Sequence, residues 1–347
     1  MTLLTGIGLK TILFPVFVII AIILGLVLAI HLPIATGPIS TYGIPFGLFF
    51  MIYPAMTKIR MNELGRSFRE AKTIGLMVFL NYAIAPFLVA GLGYFFFYFV
   101  FLHFGLLSPA VTSQVLVGII LLGVAPCIAM VMVWTNLAHG NMSKAVSFVA
   151  WNSIIQVITT PFLVYILART SVAISPYLIL ESVLLYLAIP LIAGILTRRV
   201  LQKKAYFSKV LNTLGTVQTL ALLFTILVIF WSEGKGIISY PSLIWMVGVV
   251  MVAFYFVLFH VGYFTARRAR YDYPDSTAIG FTVSARDFEV SIAIAVAAFS
   301  SYPYVAVTTA IGPLLEIPLM LFLVWIQLGR ESKHKVVRIQ RAGVTAK

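Results

Sequence analysis

The sequence predicts an all-α polytopic membrane protein. Ten transmembrane helices form two inverted five-helix repeats, with broken helices four and nine crossing near mid-membrane. Three observations lead there. The composition is too apolar for a soluble surface: of 347 residues, 61% are hydrophobic and 10% charged, with mean hydropathy +1.06, where soluble domains carry about 25% charged residues. The apolar residues gather into ten runs close to the ~20 residues a span requires. The basic residues alternate with those runs in a one-sided way.

The runs are 11–31, 42–57, 74–101, 115–135, 144–167, 178–197, 212–231, 243–265, 277–299 and 304–328. The first is too long for a signal-peptide core and lacks an A-x-A cleavage site, which makes it a retained span. The second is short. The third is long and is punctuated by Pro86, Gly91 and Gly93. Assigning Lys and Arg to alternating sides from Lys10 onward puts 21 on the side of the N-terminus and 2, Arg169 and Lys235, on the other. Arg286 alone falls inside a span. This asymmetry places both termini in the cytoplasm of a multi-pass plasma-membrane protein. The net charge of +14 then reflects topology and contact with anionic membrane lipid, not nucleic acid. No connection is long enough for a soluble domain. The tail 331–347 is basic, polar and expected to be disordered.

A repeat is visible within the chain. "ITTPFLVY" (158–165) and "LEIPLMLF" (315–322) share a proline at an offset of 157, which carries Cys127 onto Ser284. Ten spans divide into five in 1–170 and five in 171–330. An odd number per half inverts the second half, and inverted repeats with broken helices mark secondary transporters.

Three acidic residues lie deep in spans: Asp287, Glu289 and Glu316. The midpoints of spans nine, ten and four fall near 288, 316 and 125, so these acids and Cys127 share one depth. An ionisable group there costs about 2.5–3.5 kcal/mol, which makes each a functional candidate. Arg286 and Glu289 stand three apart on a helix, where an internal ion pair holding the fold is the structural alternative. Glu316 has no basic neighbour in its span and is suited to carrying a proton. Its flanks, Pro313 and Pro318, are expected to loosen the helix and release carbonyls.

"GVAPCIAMVMVW" (123–134) holds the chain's one cysteine. Pro126 lacks an N–H and breaks the helical ladder. If it opens a new half-helix, Cys127 sits at the positive end, where a thiolate is favoured. "TVSARDFE" (282–289) is the corresponding break in span nine. Elsewhere, "GIPFG" (43–47) reads as small-residue packing, His260 as structural, and the sequon at Asn141 as cytoplasmic. There is no H-E-x-x-H, G-x-S-x-G or P-loop, so the chain is read as a non-enzyme without cofactor.

"GVAPCIAMVMVWTNLAHGN" (123–141) resembles the span-four signature of the arsenite-efflux permeases of the bile acid/arsenite/riboflavin transporter superfamily. "FEVSIAIAVAAF" (288–299) and "IGPLLEIPLM" (311–320) resemble that family's ninth and tenth spans, and the similarity runs the length of the chain. The resemblance implies export of trivalent arsenite or antimonite in exchange for protons. It places the family's essential cysteine, the metalloid ligand, on Cys127 and its essential glutamate on Glu316. Trp134, Asn152 and Glu289 match positions the family uses along the pathway. One departure stands out: the family's Asn-Asn-Phe-Glu is here Arg286-Asp287-Phe288-Glu289. If Arg286 and Asp287 neutralise each other, the site works as in the family. If not, an anion or another metalloid becomes the expected substrate.

The chemistry is compatible. Arsenite is a neutral trihydroxide at neutral pH, and one thiol can replace one hydroxide reversibly, whereas three would bind too tightly for release. Two alternatives remain. A sodium-coupled symporter of an organic anion would use Arg286 as a carboxylate partner. A membrane thiol enzyme would need a base beside Cys127, and no intramembrane histidine is placed for it.

Overall fold

The computed structural model describes residues 9–32, 42–58, 70–128, 130–169, 171–172 and 175–344, and side chains among these from residue 16 to 331. Of the basic residues that set the topology, Arg60, Arg66, Arg69 and Lys347 lie outside the described residues. All ten apolar runs are helical. The elements are α1 (Leu9–His31), α2 (Ile44–Thr57), α3 (Ala71–Leu102), α4 (Pro109–Val124), α5 (Met130–Leu137), α6 (Met142–Ala168), α7 (Pro176–Leu201), α8 (Phe207–Ser239), α9 (Pro241–Arg268), α10 (Tyr273–Ser284), α11 (Phe288–Ala298) and α12 (Pro303–Val344). Runs four and nine are each split, into α4/α5 and α10/α11. Six helices, α3, α6, α7, α8, α9 and the Pro303–Glu331 part of α12, are long and apolar enough to cross a membrane. Among the described residues there is no β-strand, only one isolated antiparallel bridge.

Polarity is inverted relative to a soluble protein. Phe99, Ile158, Val200 and Trp325 are exposed, whereas Arg286, Asp287, Glu289 and Glu316 are buried. Water cannot satisfy groups at a lipid-facing surface, so charge turns inward. Helix ends follow local chemistry. Ser108, Asn141, Asp272 and Asp287 cap α4, α6, α10 and α11, each accepting a backbone N–H three residues on, which satisfies one orphan donor of the first turn.

Prolines act in two ways. In α3 and α7 a π-helical turn, Leu80–Ile84 and Leu184–Ala188, ends two residues before Pro86 and Pro190. The wider turn absorbs the ring and the missing donor. By contrast, Pro313 and Pro318 lie inside an unbroken α12, so the loosening expected around Glu316 is absent. The tail expected to be disordered continues α12 as helix to Val344. Its Lys, Arg, Gln and Glu are good helix formers, and no proline separates it from the span.

α1 and α2 pack on α8, α2 also on α7, α3 on α4, α9 on α10 and α12, α4 on α12, and α6 on α10. Small residues set the closest approaches. A Cβ on Gly47 of the G-x-x-x-G would lie 2.2 Å from Thr225 Oγ1 of α8. On Gly123, the last turn of α4, it would lie 2.4–2.6 Å from three side-chain carbons of Val89 in α3. Gly123→Ala is therefore expected to destabilise the protein by about 1–3 kcal/mol, and adding Val89→Ala should restore most of the loss. Thermal unfolding in detergent measures both; an unchanged midpoint for Gly123→Ala would contradict this packing.

Candidate functional site

The site forms where α4 and α10 stop. Past Val124 and Ser284 the chain turns extended: Ala125 has φ −88° and ψ 118°, Ala285 φ −65° and ψ 137°. The two extended stretches cross as an antiparallel bridge between Pro126 and Arg286. Cys127 N–H donates to Ala285 O at 3.1 Å, and Asp287 N–H to Ala125 O at 2.9 Å. Each broken helix thus supplies the partners that the other lost, and Pro126 occupies the one position that needs no donor. Ser291 Oγ donates to Leu121 O at 2.8 Å and ties α11 to α4.

Two expectations need correction. Pro126 does not begin the next half-helix; it lies in the crossing, and α5 begins at Met130. The ring suits an extended stretch as well as a first helical turn, and here the backbone pairing claims it. Cys127 is therefore three residues short of α5. The offset of 157 does not relate the two breaks: the stretch from break to proline is three residues longer in 125–161 than in 285–318, so aligning the breaks sets Cys127 in correspondence with Asp287, not Ser284.

Arg286 is fully buried and does not pair with Asp287 or Glu289. Its guanidinium donates to four oxygens: Asn81 Oδ1 at 2.8 Å, Ser284 O at 3.2 Å, Gly123 O at 3.3 Å, and Val283 O. The Phe254 ring lies 5.7 Å from its central carbon. The cause is the double break. Two helix C-termini leave carbonyls without intrahelical donors and present the negative ends of their dipoles. A guanidinium has five N–H donors to offer them. Asp287 is occupied differently: Oδ1 accepts the Val290 N–H at 3.1 Å as the cap of α11, leaving Oδ2 buried without a hydrogen-bond partner.

The remaining candidates other than Trp134 gather around this crossing. Glu316 on α12 is 1% exposed. Its Oε2 accepts Tyr255 OH of α9 at 2.9 Å, the Arg286 backbone N–H faces the same carboxyl, and Oε1 has no hydrogen-bond partner. Cys127 is buried within coulombic range of Arg286 and Tyr255. Asp287 and Glu289 line a cavity of about 10 Å³ with Ile128 and with Met51, Ile52 and Ala55 of α2, room for about one water. Asn152 Oδ1 on α6 accepts from Asn81 Nδ2 at 3.4 Å and from Tyr82 OH at 3.5 Å, so Asn81 joins Asn152 to Arg286. Trp134 is buried on α5, and its indole N–H has no hydrogen-bond partner, so no side-chain hydrogen bond ties it to the crossing. Among the described residues no cluster of three or more His, Cys, Asp or Glu could hold a metal ion.

Tyr255 and Asn81 belong to the site although the sequence did not single them out. Asn81 carried a signal, a lone amide within a long apolar run. Tyr255 carried none, since tyrosine is common in such runs. Two other residues are accounted for without the site. His260 Nδ1 is hydrogen-bonded 2.8 Å from Phe256 O in its own helix, and Asn141 caps α6 while donating to Asp275 at 2.8 Å.

Residues 45–240 match the Sodium Bile acid symporter family. The chain is similar to the arsenical-resistance protein Acr3 of Alkaliphilus metalliredigens, 29% identical over 97% of this chain and 96% of that one. It is also similar to Acr3 of Corynebacterium glutamicum, 28% identical over 82% and 78%. An uncharacterized sodium-dependent transporter of Bacillus subtilis is 24% identical over 84% and 81%. With more than half its length matched, the chain belongs to the sodium bile acid symporter family of membrane transporters.

Proposed function

We propose that this chain exports trivalent arsenite, or antimonite, across the plasma membrane in exchange for protons. The observation that carries the reading is the placement of one thiol, Cys127, in the crossing of two broken helices, where Arg286 and Tyr255 neighbour both Cys127 and the carboxyl of Glu316. Similarity to two arsenical-resistance proteins supports the substrate class.

Packing supports the inverted repeat. Exchanging spans one to five for six to ten maps α1 on α8 to α7 on α2, α3 on α4 to α9 on α10, and α4 on α12 to α10 on α6, and all of these pairs occur. Contacts at helix ends support the alternation of sides, on which the positive-inside assignment of cytoplasmic termini rests. Lys144 pairs with Glu70 and Asp275, His139 with Glu331, and Lys58 with Gln218. Trp231 bonds to Leu32, and Gln114 to Tyr304. Each joins ends that alternation assigns to one side.

Arsenite enters as the neutral trihydroxide. The Cys127 sulfur displaces one hydroxide, which leaves as water with the thiol proton, forming one As–S bond; water reverses the step on the far side. One bond is weak enough to release. Glu316 carries the exchanged proton, and Tyr255 holds its carboxyl toward the crossing. Rocking of one bundle against the other then gives access from either side. The sodium-coupled importer reading loses its anchor, because the guanidinium of Arg286 is engaged by backbone and Asn81 oxygens.

Everted vesicles loaded by an imposed pH gradient test the chemistry. Cys127→Ser should reduce arsenite accumulation to background with normal membrane insertion, since a hydroxyl replaces the arsenic ligand at nearly the same size. Gradient-driven accumulation at the wild-type rate would exclude the thiol as ligand.

Coupling is tested separately. Glu316→Gln should lose pH-driven transport while arsenite still protects Cys127 from a thiol reagent. Tyr255→Phe removes a hydrogen bond worth about 1.5 kcal/mol and should slow transport about tenfold. Wild-type gradient dependence in Glu316→Gln would pass the proton role to Glu289.

A further inference from the structure

Secondary transporters hold sodium with unwound backbone carbonyls and half-helix C-terminal ends. That arrangement is present here. The ends of α4 and α10 meet in the crossing, and the carbonyls of Gly123, Val283 and Ser284, with Asn81 Oδ1, are gathered around one cationic group. All four are hard oxygen ligands. That group is the Arg286 guanidinium, whose three nitrogens share them and which has the Phe254 ring beside it. A sodium ion does not fit this site: its oxygens are engaged, and a second cation would sit against a buried positive charge. Family and structure therefore disagree about sodium.

We infer that Arg286 is a tethered cation that replaces a coupling sodium ion, making this chain a sodium-independent member of its family. A guanidinium fixed to the backbone neutralises the two helix ends as a bound ion would, but it cannot dissociate and so cannot draw on an ion gradient. Coupling is left to groups that exchange a proton, and the deep carboxyls Asp287, Glu289 and Glu316 surround the crossing. Arg286 is a positioning residue here: it holds the crossing closed and does not touch the metalloid. The inference rests on reading the chain as a transporter, but not on arsenite being its substrate.

Removing the guanidinium should free the oxygens for sodium. The purified full-length protein is melted in sodium chloride and in choline chloride at equal ionic strength, without metalloid. Wild type and Arg286→Lys, which keeps a cation in place, should melt alike in both salts. Arg286→Ala should melt lower in choline and gain about 2 °C or more in sodium, the mark of an ion bound only by the folded state. Arg286→Gln, which keeps donors but no charge, is the second variant should Ala not fold. Sodium stabilisation of wild type, or a folded uncharged variant indifferent to sodium, overturns the inference. Vesicle transport by wild type with choline in place of sodium is the functional arm, and a drop in rate there overturns it too. A failure confined to arsenite uptake in both salts would count against the proposed substrate and leave the melting result standing.

Discussion

Two helices that stop inside the packed bundle leave buried carbonyls and N–H groups without intrahelical partners, and the crossing of 125–127 with 285–287 is the answer to that constraint. The backbone bridge satisfies the donors of Cys127 and Asp287. Arg286 satisfies the carbonyls of both helix ends. Asp287 caps the helix that restarts at Phe288. Gly123 must be glycine-sized, because α4 reaches the crossing only by lying against Val89. Each feature is costly alone in hydrocarbon and inexpensive once the others are present.

The same constraint assembles the chemistry. Cys127 is not carried by a helix face; it is held by its own backbone bond to the opposing chain, so its position depends on both halves of the molecule. Glu316 approaches from α12 and Tyr255 from α9, on the side of the Arg286 backbone N–H. Asp287 and Glu289 face α2 across a cavity of one water's size. The thiol and the carboxyls gathered at the crossing are the parts that the proposed proton-driven metalloid export would use.

Much of this was legible in the sequence. Hydropathy located all ten helical runs, because a span needs a long apolar stretch and the loops are short. Pro126 and the polar run 282–289 marked both breaks, and depth alone grouped Cys127, Asp287, Glu289 and Glu316. Partners were less legible. Charge pairing within 286–289 was the natural expectation, but a guanidinium beside two helix ends finds stronger competition for its donors from carbonyls, which no sequence pattern displays. Tyr255 is indistinguishable from a lipid-facing tyrosine until α9 is packed. The repeat offset, taken from prolines, misplaced the break by three residues because helix-internal prolines need not keep register with a loop.

The central claim is that Cys127 lies directly opposite the second broken helix, and the native cysteine offers a direct measurement. Ala285→Cys places a second thiol on the residue whose carbonyl accepts the Cys127 N–H, a pair about 5.5 Å apart between Cα atoms in antiparallel geometry and within disulfide range. Mild oxidation of the full-length protein in membranes, followed by thiol counting and peptide mapping by mass spectrometry, should show an intramolecular 127–285 disulfide in most molecules. Two thiols that stay separately alkylated after oxidation, in protein that melts like wild type, would contradict the crossing and the site built on it.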